Sequence, residues 1–201
     1  MKRTVRWVVA GGVLSALTFW LVAAGTGSAA DDDQAARDGV LKVADLFQKK
    51  DMDTAKKQAQ TIAQKINDVE PIMNTMSPRE DGGLGVGGQA GRIKPDGIEK
   101  KLLEIDKTPL KDQQATSEAD ALQEMAYRIA AVATMAQPLC PVPAKQGKKD
   151  PKDWKKWSGD MQKQALDLAD AARTKKAADI NKAVKTLNNT CATCHASFKD
   201  S

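Results

Sequence analysis

Residues 150–173 read DPKDWKKWSGDMQKQALDLADAAR, and residues 177–198 read AADINKAVKTLNNTCATCHASF. Apolar residues recur in both stretches at intervals of three and four, which places them on one face of an α-helix. In the first stretch they are Trp154, Trp157, Met161, Ala165, Leu168 and Ala172, and in the second they are Ile180, Val184, Leu187, Cys191, Cys194 and Phe198. Asp150 before Pro151 is a typical helix start, because Asp caps a helix and proline fits its first position. The sequence therefore predicts helices over about 151–173 and 177–198, joined by a tight turn.

Two further apolar seams precede these helices. The first predicts a helix over about 54–76, capped by Asp53 and bent at Pro71. The second predicts a helix over about 116–136. Four helices of roughly 20 residues pack most simply as an antiparallel four-helix bundle. The predicted fold class is therefore all-α, with an extra short N-terminal helix over 34–49.

A glycine-rich segment separates the first predicted bundle helix from the second. Its glycines are Gly82, Gly83, Gly85, Gly87, Gly88 and Gly91. No apolar strand precedes them, and no helix beginning with Lys-Ser or Lys-Thr follows, so a phosphate-binding loop is disfavoured. The composition of residues 82–91 instead predicts a flexible or lid-like surface loop. A short helix is expected after it, over 98–105.

The first 30 residues are typical of an export signal. A basic N-terminus precedes 19 uncharged residues, Trp7 to Gly25, and small residues follow up to Ala30. Cleavage is predicted after Ala30, which leaves residues 31–201 as a single domain in the periplasm. The alternative is an uncleaved anchor, because 19 uncharged residues approach the ~20 needed to span a bilayer. Contact with a membrane is expected only through that segment.

Composition and charge exclude several classes of function. The chain has 201 residues, with 31 Lys and Arg, 26 Asp and Glu, and one His. A single His rules out a multi-histidine metal site and a His-pair acid–base mechanism. Residues 1–30 carry three basic residues and no acidic one, so the net charge falls from +5 to +2 without them. No Lys/Arg stripe with interleaved aromatic residues supports nucleic-acid binding, and no nucleophile–base pair supports an enzyme.

The sequence Cys191-Ala192-Thr193-Cys194-His195 is the attachment signature of a c-type haem. Two thiols three residues apart lie on one face of a helix and can reach two vinyl groups, while the adjacent imidazole approaches the iron. A disulfide across this spacing within a helix is strained, and a zinc site lacks further ligands. A thioredoxin-like redox pair needs a βαβ context. The motif therefore predicts one covalently bound haem c, with His195 as the proximal ligand of the iron.

The C-terminal part of the chain resembles cytochrome c′ and its methionine-ligated low-spin relatives. The likeness rests on a last helix that ends with Cys191, Cys194, His195, Phe198 and Lys199, and on the proline and tryptophans that open the preceding helix. The resemblance implies a periplasmic cytochrome that transfers single electrons to a redox partner protein. The alternative that it implies is a haem protein that binds a diatomic gas, NO or CO, as a sensor or scavenger. A homodimer is compatible with the family.

The haem pocket is expected at the end of the bundle where the last helix finishes. In an up-down bundle, Trp154, Trp157 and Met135 lie at that end. Together with Phe198 and Lys199 they form the predicted pocket. If residues 34–49 rather than 54–76 supply the first bundle helix, that helix faces the iron instead.

The distal ligand of the iron stays open at this point. Either Met52 or Met135 supplies it, or the iron has no protein ligand on that side. Met73 and Met76 lie at the far end of the predicted helix 54–76, so simple bundle geometry disfavours them unless the glycine-rich loop folds back. Cys140 is left unpaired if the other two thiols hold haem, and either it cross-links two chains or it is buried and inert.

Overall fold

The computed structural model describes residues 29–199. These residues form seven α-helices and one 3₁₀ turn, Arg79–Asp81, with no β-strand among them. The helices are α1 (Ala29–Gln48), α2 (Met52–Ile66), α3 (Glu70–Asn74), α4 (Ile98–Lys107), α5 (Asp112–Ala136), α6 (Pro151–Thr174) and α7 (Ala177–Phe198). The predicted all-α bundle is confirmed. Residues 1–28, which carry most of the predicted export signal, lie outside the described residues.

Helices α4 to α7 form an antiparallel four-helix bundle. Helix α5 packs along α6, α6 packs along α7, and α4 lies beside α7. The Asn181 side chain bonds the backbone N–H and carbonyl of Leu110, at 2.9 and 3.0 Å. About two turns further along α7, Asn188 donates to Asp106 Oδ2 at 2.8 Å. Because residue numbers rise along α7 while they fall along α4, these two helices run in opposite directions.

The two C-terminal helices bury the apolar faces that the sequence predicts. The buried side chains include Trp154, Met161, Ala165, Leu168, Ala172, Ile180, Val184 and Leu187. Both helices begin and end within one residue of the predicted bounds. At the start of α7 the amide N of Ala177 lies 3.4 Å from Asp112 Oδ1, at the start of α5. The C-terminal ends of α5 and α7 therefore meet at the opposite end of the bundle.

The predicted helix over 54–76 is wrong. Helix α2 begins at Met52 after Asp51, whose side chain accepts from Thr54 N at 3.2 Å, and it ends at Ile66. Asn67 then takes a left-handed conformation (φ 54°) and donates to Ala63 O, which closes the last turn. The chain re-enters a helix only for the five residues of α3, so the segment after residue 66 leaves the axis of α2.

The start of α5 and the length of α4 also differ from the prediction. Helix α5 begins at Asp112 rather than near residue 116, because Lys111 N donates to the Gln114 side chain at 3.2 Å and closes the first turn. The short helix expected over 98–105 is present and continues to Lys107.

Helix α1 is longer than the predicted short helix and packs against α2 and α5. Gly39 makes this close approach possible. A Cβ at that position would lie 2.8 Å from Ile62 Cγ2 and 3.1 Å from Met135 Cε. The predicted cleavage point after Ala30 falls in the first turn of α1. No helix within residues 29–199 is long and apolar enough to cross a bilayer.

The glycine-rich segment is a packed part of the molecule, so the predicted flexible or lid-like surface loop is wrong. Leu84, Val86 and Ile93 are buried in the main core. The Arg128 guanidinium of α5 donates to the carbonyls of Leu84, Gly85 and Gly87 at 3.1, 3.0 and 3.0 Å. These contacts join residues more than 40 positions apart, so no local pattern reveals them.

Asp96 holds the same segment from its other side. Its carboxylate accepts from Arg79 Nε at 2.9 Å and from the amide N of Val86 at 2.8 Å. The segment therefore lies against α5 with three of its carbonyls and the amide of Val86 paired, and it is a wall of the protein rather than a lid.

Candidate cofactor site

The last two turns of α7 carry the Cys191, Cys194 and His195 side chains. All three are half-buried, and none of the cysteines in the described chain forms a disulfide. The helix continues without a break to Phe198, and Thr193 on its exposed side donates back to Asn189 O at 2.8 Å. Residues at spacings of three and four share a helix face, so the two sulfurs and the imidazole are presented together.

A cleft of about 820 Å³ opens beside this part of α7. Its walls come from the end of α7, the first turns of α6, the end of α5, the start of α4, and residues 68–77. Cys191, Cys194 and His195 all line it. Cofactor pockets usually measure about 300–1,000 Å³ and are mostly apolar. A haem c fits this donor set, since two sulfurs and one imidazole face a single cleft of suitable size.

Three aromatic side chains fix the C-terminal end of the cleft. Trp154 Nε1 donates to the carbonyl of Ala136 at 3.0 Å, which ties α6 to the end of α5. The Phe198 ring meets Trp154 and Trp157 edge-on, with centroid distances of 5.0 and 5.9 Å. Such pairs add about 0.5–1.5 kcal/mol beyond the burial of their area. Trp154, Trp157, Phe198 and Lys199, four of the five predicted pocket residues, line the cleft.

The environment of the two attachment thiols disfavours their charged form. Burial raises the pKa of the Cys191 thiol to about 12, with further contributions from Cys194 and Glu99. Burial likewise raises the pKa of Cys194 to about 11, and nearby Cys140 adds to the effect. Both sulfurs are therefore uncharged at neutral pH, as suits an apolar cleft.

The fifth predicted pocket residue, Met135, does not line the cleft, so its placement in the predicted pocket is wrong. It is fully buried where α1 crosses α5, and its methyl group faces Gly39. Met52, the other proposed distal ligand, opens α2 and packs against the main core away from the cleft. The physical reason is that α1 and α2 pack against each other and α5 rather than taking the predicted place of the first bundle helix. Helix α1 therefore covers the face of α5 that carries Met135.

Three methionines outside the predicted pocket line the cleft: Met73, Met76 and Met161. Simple bundle geometry disfavoured the first two, and that expectation is wrong. Met73 and Met76 reach it because the chain turns back after α2. The carbonyl of Thr75 accepts from Leu84 N at 2.8 Å, and that of Met76 accepts from Glu99 N at 3.3 Å. Asn67 and Pro71 were the available signals, since both are typical of the ends of helices.

Comparison with known proteins agrees with this geometry. Residues 100–199 match the model of a protein family described as Cytochrome C'. The match runs from α4 to the end of α7 and includes both attachment cysteines and His195. No curated protein and no solved structure matches the chain. The chain belongs to the cytochrome c′ family, and it is therefore a c-type haem protein.

Proposed function

We propose that the protein is a periplasmic one-electron carrier with one haem c in the cleft. In this proposal Cys191 and Cys194 hold the porphyrin through thioether bonds, His195 is the proximal ligand, and the Met73 sulfur is the sixth ligand. Bound haem supplies an iron that alternates between two oxidation states. The observation that carries the proposal is that thioether side chains line the same cleft as His195.

Met73 is favoured over the other two methionines by its packing. It is half-buried and contacts both the main core and the smaller cluster of Ala136, Val142, Trp154 and Phe198. Cys194 packs against that smaller cluster too. Met76 and Met161 pack only against the main core. Of the three methionines, Met73 is therefore the one that contacts both clusters, the main core against which Cys191 packs and the smaller cluster against which Cys194 packs.

Methionine–histidine ligation favours electron transfer, because the thioether raises the reduction potential and occupies the site that a gas would take. The rest of the proposal follows from the sequence. One attachment motif predicts one haem. Residues 1–30 direct export, and members of the family are generally periplasmic. The partner is a redox protein, and no enzymatic activity is proposed.

A second candidate function is binding of NO or CO at an open iron site. It is favoured by the apolar part of the cleft wall, which includes Leu102, Leu103, Ala133 and Ala136. If no sulfur bonds the iron, this apolar wall leaves a distal space suited to an uncharged diatomic gas.

Absorption spectra of protein matured in a host that attaches haem separate the two functions. We expect a low-spin reduced spectrum that CO does not change. Met73→Leu keeps the side-chain volume but removes the sulfur, so it should give a high-spin spectrum that responds to CO. Met161→Leu is the matched control and should leave the spectrum as it is. A wild-type spectrum that is high-spin and shifts with CO would overturn the carrier in favour of gas binding.

A further inference from the structure

The positive charge of the exported part of the chain is concentrated in one segment. Residues 137–157 contain six lysines and two aspartates, a net charge of +4. The remainder of residues 31–201 has 22 basic and 24 acidic residues, a net charge of −2. Residues 31–201 therefore carry a local excess of positive charge that their net charge of +2 conceals.

Four of these lysines form a surface that we call the basic rim: Lys145, Lys148, Lys152 and Lys156. All four are exposed, and the side chains of Lys145 and Lys156 are 71% and 67% accessible. Lys145 and Lys156 also form surface ion pairs with Asp150 and Asp160, at 4.0 and 2.7 Å. Two lie on a hairpin closed by the backbone bonds between Gln146 and Lys149, and two lie on the first two turns of α6.

The basic rim lies at the cleft end of the bundle. Pro141, at one end of the hairpin segment, lines the cleft, and so do Trp154 and Trp157 from the same turns of α6 that carry Lys152 and Lys156. The residues of the opposite wall have the other sign. Asp68, Glu70 and Glu99 line the cleft and are exposed. None of the four lysines lines the cleft itself. The cleft end of the molecule is therefore basic on the hairpin and the outer side of α6, and acidic on the α3–α4 side.

We propose that the basic rim is the docking surface for a redox partner protein that presents an acidic face. The inference rests on the proposed electron-carrier function and adds the location and the charge of the contact. Opposite charges on two docking surfaces raise the association rate and orient the encounter. A partner that sits on the basic rim contacts the first turns of α6, whose Trp154 and Trp157 line the cleft.

The residues around the lysines favour a protein, rather than an anionic membrane, as the partner of the basic rim. Surface-bound segments insert large apolar side chains beside their basic residues. Between Lys145 and Lys152 the chain has only Gln146, Gly147, Lys148, Lys149, Asp150 and Pro151. No large apolar side chain is therefore available there to enter a lipid layer. Of the tryptophans beside Lys152 and Lys156, Trp154 is buried and Trp157 packs against Phe198.

The test compares two triple variants of the full haem-loaded protein that change the net charge equally. Lys148→Glu/Lys152→Glu/Lys156→Glu reverses the basic rim. Lys176→Glu/Lys182→Glu/Lys185→Glu reverses three exposed lysines at the start of α7, at the far end of the bundle. Absorption spectra identical to wild type verify that both variants fold around haem. Stopped-flow mixing then measures oxidation of the reduced proteins by hexacyanoferrate(III), an anion, with and without poly-L-glutamate as an acidic polypeptide.

We expect the rim variant to react with hexacyanoferrate(III) about tenfold more slowly at low ionic strength, and the difference to shrink at about 0.5 M salt. Poly-L-glutamate should slow the wild type and the α7 variant but not the rim variant. Equal rates for the two variants would overturn the docking surface while leaving the carrier function intact. Loss of all oxidation in wild type would instead overturn the carrier. Binding of wild type, but not the rim variant, to phosphatidylglycerol vesicles would assign the lysines to a membrane and also overturn the proposal.

Discussion

The two halves of the molecule are held together by different means. Residues 98–199 are long amphipathic helices whose apolar faces meet in one core. Residues 29–97 are broken by left-handed residues and glycines, and they are held against α5 by close backbone approach and by the buried Arg128. The C-terminal half is specified by local periodicity, whereas the N-terminal half depends on contacts between distant parts of the sequence.

The two halves contribute different parts of the cleft. The attachment cysteines and His195 belong to the regular half, on α7. The wall that carries Met73 and Met76 belongs to the irregular half and rests on the glycine-rich segment through the bond from Leu84 N to Thr75 O, 2.8 Å. We therefore expect changes in the regular half to decide whether haem is attached, and changes in the irregular half to decide stability and the state of the iron.

The largest expected effect is on attachment itself. Cys191→Ser/Cys194→Ser removes both sulfurs that face the cleft, so we expect complete loss of covalently bound haem. Cys140→Ser is the matched control, since Cys140 packs near Cys194 but does not line the cleft. It should keep one haem per chain. Mass spectrometry of the denatured proteins measures attachment directly, and a haem-free Cys140→Ser protein would contradict the assignment.

The same division explains what the sequence could predict. The bounds of α6 and α7 followed from their apolar seams and the Asp150–Pro151 start. The two sulfurs and His195 were identifiable because their chemistry depends on spacing within one helix. Trp154 and Trp157 could be placed at the cleft because antiparallel packing fixes which helix ends meet.

The irregular half could not be predicted in this way. Met73 continues the apolar seam of α2 in sequence, but the left-handed Asn67 turns the chain away from that helix. Helical periodicity carries no information about such a turn. The glycines of 82–91 read as a mobile loop because the guanidinium that pairs their carbonyls comes from Arg128, which no local pattern connects to them.

A smaller but still large effect is expected from removing that guanidinium. Arg128→Met keeps an apolar stem but leaves the carbonyls of Leu84 and Gly85 without their donor, whereas that of Gly87 still accepts from Arg79. Each buried unpaired acceptor costs about 1 kcal/mol or more. We expect the free energy of unfolding to fall by about 2 kcal/mol in urea titrations of the haem-loaded protein. The absorption spectrum, which reports the sixth ligand of the iron, should also change, because the glycine-rich segment that supports the chain around Met73 loosens.

Arg173→Met is the control for Arg128. Arg173 is exposed and pairs with Asp170 on the surface of α6, and exposed ion pairs contribute at most about 1 kcal/mol. If both variants lost stability equally, the hydrogen bonds from Arg128 to the glycine-rich segment would have no special role. The contrast between the two halves would then weaken.

The smallest expected effects come from alanine substitutions at two glycines inside helices, one in each half of the molecule. In α6, a Cβ on Gly159 would have Gln137 Nε2 as its nearest neighbour at 3.6 Å, an ordinary contact. Gly159→Ala should therefore gain up to about 1 kcal/mol from helix propensity. In α1, a Cβ on Gly39 would lie 2.8 Å from the branched Ile62 side chain, and overpacking typically costs about 1–3 kcal/mol.

Gly39→Ala should thus lose about 1 kcal/mol net, since the steric cost exceeds the helix-propensity gain. In thermal unfolding the melting temperature should rise by about 3 °C for Gly159→Ala and fall by about 3 °C for Gly39→Ala. Opposite signs for the same chemical change would show that backbone proximity, rather than helix propensity, governs the N-terminal half. A rise in both would mean that α1 does not approach α2 and α5 closely.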